Sequence, residues 1–173
     1  MSFLNHNVFA AALLLLPAAV PPASKPATPV PLPMGKLEIR LLITAEPDKV
    51  IHPKKGADGK FSQAAPVTIA PRGQLVVGLV FFKDCQPDTK GNCNVDVDLQ
   101  GIAPGGLTFK NSKASDLWRN KRAPHPGFVQ LGAPFMKIQI EPNDPAGTYR
   151  VIAVAHDRVS GAESRAEASF EVK

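Results

Sequence analysis

From Leu37 to the end of the chain, apolar and polar side chains alternate residue by residue in a series of short runs. Leu37, Ile39, Leu41 and Ile43 interleave with Glu38, Arg40, Leu42 and Thr44. Val95, Val97 and Leu99 interleave with Asp96, Asp98 and Gln100, and Met136, Ile138 and Ile140 with Lys137, Gln139 and Glu141. Between Ala162 and Val172 the alternation is cleanest: Ala166, Ala168, Phe170 and Val172 share one face, and Arg165, Glu167, Ser169 and Glu171 the other. A period of two marks a half-buried strand, because successive side chains leave opposite faces of a pleated backbone. No window has the 3.6-residue stripe of an amphipathic helix. About seven such strands, punctuated by proline and glycine, predict an all-β chain folded as a single antiparallel β-sandwich.

Two segments break the alternation by being apolar on both faces. Gln74 to Phe82 carries Leu75, Val77, Leu79 and Phe81 on one side and Val76, Val80 and Phe82 on the other. Thr148 to Ala155 carries Tyr149, Val151 and Ala153 against Ile152 and Val154. A two-layer sandwich buries one face of each strand. The second faces are therefore expected to lie under the long Ala45 to Pro66 segment, with an exposed partner patch as the other possibility.

The stretch Asp144-Pro145-Ala146-Gly147-Thr148-Tyr149 opens the strand Arg150 to Ala155, and Arg158-Val159-Ser160-Gly161 then leads into the last strand. An Asp, a Gly and a Tyr at the entry of a penultimate strand resemble the tyrosine corner of immunoglobulin-like sandwiches. More narrowly, they are similar to domains of exported bacterial proteins. The resemblance implies a phenol hydroxyl bonded back to upstream backbone, fixing a crossover between sheets, and a terminal hairpin. It covers residues 140–172. The buried Trp and inter-sheet disulfide of antibody domains have no counterpart, since Cys85 and Cys93 are too close and Trp118 falls in a loop-like stretch.

The first residues carry another pattern. Val8 to Leu16 is an unbroken apolar run followed by Pro17 and small residues. At roughly nine to thirteen residues it has the length of a secretory h-region and falls short of the about twenty that span a bilayer. Residues 1–23 are read as a signal peptide, although Met1 to Asn7 lacks Lys and Arg. Residues 24–35 continue a proline-rich stretch that opens at Pro21, and are read as an extended linker. Residues 36–173 form the sandwich. The mature chain would have no transmembrane segment and would be periplasmic or secreted.

The 173 residues carry 20 Lys and Arg against 15 Asp and Glu, a net charge of +5. That modest excess favours contact with anionic lipid or glycan and is too mixed with acids to point to nucleic acid. Cys85 and Cys93 flank Gln86 to Asn92, a turn-rich segment between two strands, and in an oxidising compartment they are expected to form a disulfide closing a hairpin. Seven intervening residues are not the C-x-x-C of a redox pair.

Candidate chemistry gathers in two places. Asp84, Asp88, Asn92, Asn94, Asp96 and Asp98 supply oxygens that could surround Ca²⁺, although the spacing departs from the D-x-[DN]-x-[DN]-G loop and Asp96 and Asp98 also fit a solvated strand face. Trp118, Arg119, Lys121, Arg122 and His125 put the only Trp beside cations and prolines. That mixture suits glycan stacking or an acidic partner patch, while the plainer reading has Trp118 plugging one end of the sandwich. His52, His125 and His156 have no metal-ligand spacing, and no other cofactor is expected. His156-Asp157 is read as a turn opening the last hairpin rather than a catalytic pair. The expectation is a non-catalytic exported module that contacts an envelope protein or an anionic surface through its loops. The alternative is a metal-dependent or hydrolytic envelope enzyme built on Asp96, Asp98 or His156.

Overall fold

The computed structural model describes residues 36–173; the predicted leader and the linker before Lys36 lie outside the described residues. Eight strands form two facing sheets: β1 (Glu38–Thr44), β2 (Ile69–Ala70), β3 (Leu75–Lys83), β4 (Asn92–Ile102), β5 (Thr108–Arg122), β6 (Gln130–Gln139), β7 (Gly147–Asp157) and β8 (Glu163–Val172). One sheet has the order β1-β3-β6 and the other β2-β8-β7-β4-β5. All pairings are antiparallel except the short β2–β8 contact. A single helical turn, α1 (Asp48–Ile51), follows β1.

The alternation assigns the faces correctly. Leu37 just before β1, Ile39 and Ile43 of β1, Val95, Val97 and Leu99 of β4, and Phe170 and Val172 of β8 are all buried in one core with Phe82, Met136, Ile138 and Tyr149. The tyrosine corner is present: the Tyr149 hydroxyl donates to the Pro145 carbonyl at 3.1 Å. It stands where the chain leaves the three-stranded sheet for the five-stranded one, and burial raises the phenol pKa above its ordinary value. The last hairpin also forms, with Gly147 opposite Val172 and His156 opposite Glu163.

Two expectations need correction. First, Trp118 is not in a loop. It belongs to β5, a fifteen-residue strand hidden in the sequence because its register against β4 breaks four times. Each break is a bulge, an extra residue that reverses which side chains share a face. Ala114 and Asn120 adopt left-handed φ values of 47° and 52° within it. Such bulging also blunts β5 as an exposed edge.

Second, Cys85 and Cys93 form a disulfide, but they do not close a hairpin. β3 and β4 lie in different sheets, so the bridge straps an inter-sheet connection, and both sulfurs sit in the core. The surplus apolar face of β3 is buried, and Ile51 to Phe61 of the Ala45 to Pro66 segment is exposed. Val77 and Leu79 are buried on the outer face of β3, between Thr44 and Leu42 of β1 and Lys137 and Phe135 of β6. Ile152 of β7 is flanked by Gln100 and Glu167.

Candidate functional site

The strand directions place three connections at one end of the sandwich: β3–β4, β5–β6 and β7–β8. Their carboxylates mostly accept hydrogen bonds from backbone amides. Asp88 accepts from the N–H groups of Lys90 and Asn92 at 2.8 and 2.9 Å, and these amides hold its pKa below the usual carboxylate value, Asn92 foremost. Asp84 accepts from the Gly127 N–H at 2.7 Å, joining the end of β3 to the β5–β6 turn. Buried Asp157 holds its own hairpin turn through the amides of Val159 and Ser160 and reaches Gln86, next to Cys85, at 2.7 Å. The Ala123 amide donates to the Gly91 carbonyl at 3.0 Å, closing the ring of contacts between loops.

The candidate calcium ligands are therefore not brought together. Among the described residues no three His, Cys, Asp or Glu side chains converge in metal-binding geometry. Asp96 and Asp98 lie on the outer face of the five-stranded sheet, away from Asp84 and Asp88, and the solvated reading of that face fails for Asp96. Its side chain is 4% exposed, with Arg158 Nε at 2.7 Å and Arg119 at 3.8 Å. Asp98 pairs with Lys113 at 2.7 Å and accepts the Ala114 amide at 2.8 Å, and Lys113 is the larger reason its pKa falls below the ordinary range. His156 shares that face, 2.9 Å from Glu163 and 3.9 Å from Asp98. Asp157 turns away into the loops, so the two neighbours do not form a catalytic pair.

The basic aromatic stretch is split by a bulge. Arg119 stands opposite Asn94 on the outer face and pairs with Asp116 at 2.8 Å. In a regular strand Lys121 would share that face. The extra residue Asn120 returns Lys121 to the side of Trp118, and its ammonium lies 4.9 Å from the indole centroid. Trp118 is half-buried: its ring packs 5.3 Å from Phe82, and its N–H donates to the Arg122 carbonyl at 3.0 Å. It closes the end of the core and supports the cations above it.

An open cleft of about 610 Å³ lies between the β3–β4 and β5–β6 loops, lined by Lys90, Trp118, Arg122, His125 and Phe128. Pro87, Pro124 and Pro126 stiffen its walls. Phe128 is 64% exposed, with its ring 5.9 Å from that of His125. Among the described residues, Lys90, Lys121 and Arg122 form no ion pair. The structure thus groups Trp118, Lys121, Arg122 and His125, removes Arg119, and adds Lys90 and Phe128. Sequence reasoning missed those two because a lone aromatic after Pro126-Gly127 and a lysine in a turn have no periodic signal. Preorganised cations around exposed aromatic surface can attract and orient an anionic group.

No protein-family model matches the chain, and no curated protein matches it in sequence. Solved structures similar to it include the CARDB domain of a Pyrococcus furiosus protein in complex with di-metal ions, at 10% identity and a TM-score of 0.43, covering 86% of this chain and 97% of that one. A Niemann-Pick type C2 protein from Japanese carpenter ant is similar at 8% identity and a TM-score of 0.42, covering 81% and 95%. The alkylpurine DNA glycosylase of Pseudomonas fluorescens is similar at 13% identity and a TM-score of 0.43, and there this chain, 80% covered, spans only 30% of the other.

Proposed function

We propose that this chain is a non-catalytic binding or assembly module of the cell exterior. It engages an envelope protein or a polyanionic surface, glycan or lipid, at the cleft lined by Lys90, Trp118, Arg122, His125 and Phe128, with Lys121 stacked on the Trp118 indole. The observation that carries the reading is the division of charge at this end of the sandwich. Asp84, Asp88 and Asp157 accept backbone hydrogen bonds, while among the described residues Lys90, Lys121 and Arg122 have no carboxylate partner. Unneutralised cations held by a stiff, disulfide-strapped scaffold lose little entropy on meeting an anion. The residues of the enzyme alternative are committed elsewhere, Asp96 and Asp98 to arginine and lysine and His156 to Glu163. Export of the chain through residues 1–23, with 24–35 as a tether, accords with the apolar run Val8 to Leu16 and with a disulfide.

Retention of the full chain on immobilised heparin, used as a polyanion probe, tests this. The Lys90→Gln/Lys121→Gln/Arg122→Gln variant should elute at clearly lower salt with unchanged thermal stability. A control, Lys54→Gln/Lys55→Gln/Lys60→Gln, removes equal charge from the exposed segment after α1 and should elute nearly as wild type. Equal shifts for both variants, or no retention of the wild type, would refute the assignment.

A further inference from the structure

The two sheets meet without hydrogen-bonded pairing along the side where β5 and β6 run as edges. Towards the cleft end this seam is shut. Leu117, the extra residue of one β5 bulge, is fully buried against Gly132 of β6, where a Cβ would overlap its side chain. Towards the opposite end the seam opens into a cavity of about 290 Å³, near the lower end of the roughly 300–1,000 Å³ typical of ligand pockets. Its lining reaches two core residues, Ile138 and Tyr149. Phe109 lies over Gly101, where a Cβ would strike its ring, and meets Tyr149 edge-on at 5.9 Å. Leu107, 73% exposed, stands beside them as apolar surface that a ligand would take out of water.

The mouth carries both signs of charge, each from a different element. Lys110 of β5 donates to the Lys137 carbonyl at 3.1 Å, which holds its ammonium across the seam with donors to spare. Lys137 adds no charge there, because its own ammonium lies over Phe135, 5.5 Å from the ring centroid, on the outer face of the three-stranded sheet. Glu141 and Asp144 line the cavity from the β6–β7 connection. Asp144 accepts the Glu141 amide at 2.8 Å, and Arg72 braces the same connection by donating to the Pro142 and Asp144 carbonyls. Among the described residues no ion pair joins Lys110 to either carboxylate, and none ties any of the three elsewhere. A cation and two carboxylates that face one cavity without pairing are complementary to a ligand bearing both charges. A lone anion would meet the carboxylates, and a lone cation would meet the lysine. We propose that this inter-sheet cavity binds the zwitterion of a free apolar amino acid. Its α-carboxylate meets Lys110, its α-ammonium meets Glu141 and Asp144, and its side chain lies against Leu107, Phe109 and Tyr149. The site is independent of the cleft at the other end.

Calorimetric titration of the full chain with L-phenylalanine at neutral pH tests the proposal. Two analogues each lack one charge: phenylpropionate has no ammonium, and phenethylamine has no carboxylate. Saturable one-to-one binding of phenylalanine is expected, at least tenfold tighter than that of either analogue. Lys110→Gln should abolish the preference over phenethylamine, and Glu141→Gln should cut the preference over phenylpropionate at least threefold. Leu107→Ser, a change at an exposed position, should weaken phenylalanine at least threefold. The Lys90→Gln/Lys121→Gln/Arg122→Gln variant should bind phenylalanine as wild type, so that failure of the cleft and failure of the cavity are told apart. Absence of saturable binding, an analogue bound as tightly as phenylalanine, or a preference unmoved by its own substitution would overturn it.

Discussion

At one end of the sandwich, loops from both sheets are tied together by a disulfide and by carboxylates that accept backbone amides from neighbouring connections. At the other end the Asp144 carboxylate accepts the Glu141 amide, but most side-chain ties are donors reaching carbonyls. Tyr149 donates to Pro145, Arg72 donates to the carbonyls of Pro142 and Asp144, and Lys110 donates to that of Lys137. The difference decides what each end can present. Where the acids are consumed as acceptors, cations are left facing solvent around a wide cleft. Where phenol, guanidinium and ammonium are consumed as donors, the apolar seam between the sheets is what stays open.

This contrast is broken most severely at the contact that shuts the seam. Leu117→Ala should cost about 2–5 kcal/mol in urea unfolding, because a fully buried side chain is replaced by a void between the sheets. Removing the strap, with Cys85→Ser/Cys93→Ser, should cost about 2–3 kcal/mol for so short a loop. Its amide exchange should accelerate at Lys90 and Gly91 and stay slow at Tyr149 and Val151; uniform acceleration would mean that the two ends are not held separately. Tyr149→Phe acts on the opposite end and should cost about 1–2 kcal/mol, leaving the Pro145 carbonyl without its donor while the ring still packs on Phe170.

The smallest effect belongs to the sheet face between the two ends. Lys113 and the Ala114 amide lower the pKa of Asp98 in the folded protein. Its stabilisation is therefore complete above the unfolded value of about 3.9 and lost as pH falls through the lower folded value. With Lys113 largely exposed, no more than about 0.5–1 kcal/mol is at stake. Asp98→Asn should remove that part of the acid-side slope in a stability-against-pH profile; a slope unchanged by the substitution would show that the pair contributes nothing.

Regular strands were legible in the chain itself. Alternation placed the core faces of β1, β4, β6 and β8, and six residues around Tyr149 were enough to identify the corner. β5 was not legible, because each bulge inverts the alternation on which such a reading depends, and Leu117 and Trp118 are adjacent yet both packed against apolar neighbours. The disulfide partners followed from their spacing, but the sheet each cysteine belongs to did not, since that depends on pairings with β6 and β7 far along the chain. The role of Asp96 was likewise hidden: Arg158, which buries it, stands 62 residues away. At the cleft, a tryptophan among cations drew attention to the right neighbourhood. Asn120 then decided which of those cations share a side with it.

The claim that the loop end is the binding end is tested most directly by titrating the isotopically labelled full chain with a sulfated oligosaccharide and following its amide and indole resonances. The account predicts shifts concentrated at Lys90, Arg122, His125, Phe128 and the Trp118 indole N–H. Shifts centred on Lys54, Lys55 and Lys60, or spread evenly over the charged face around Asp96, would contradict it.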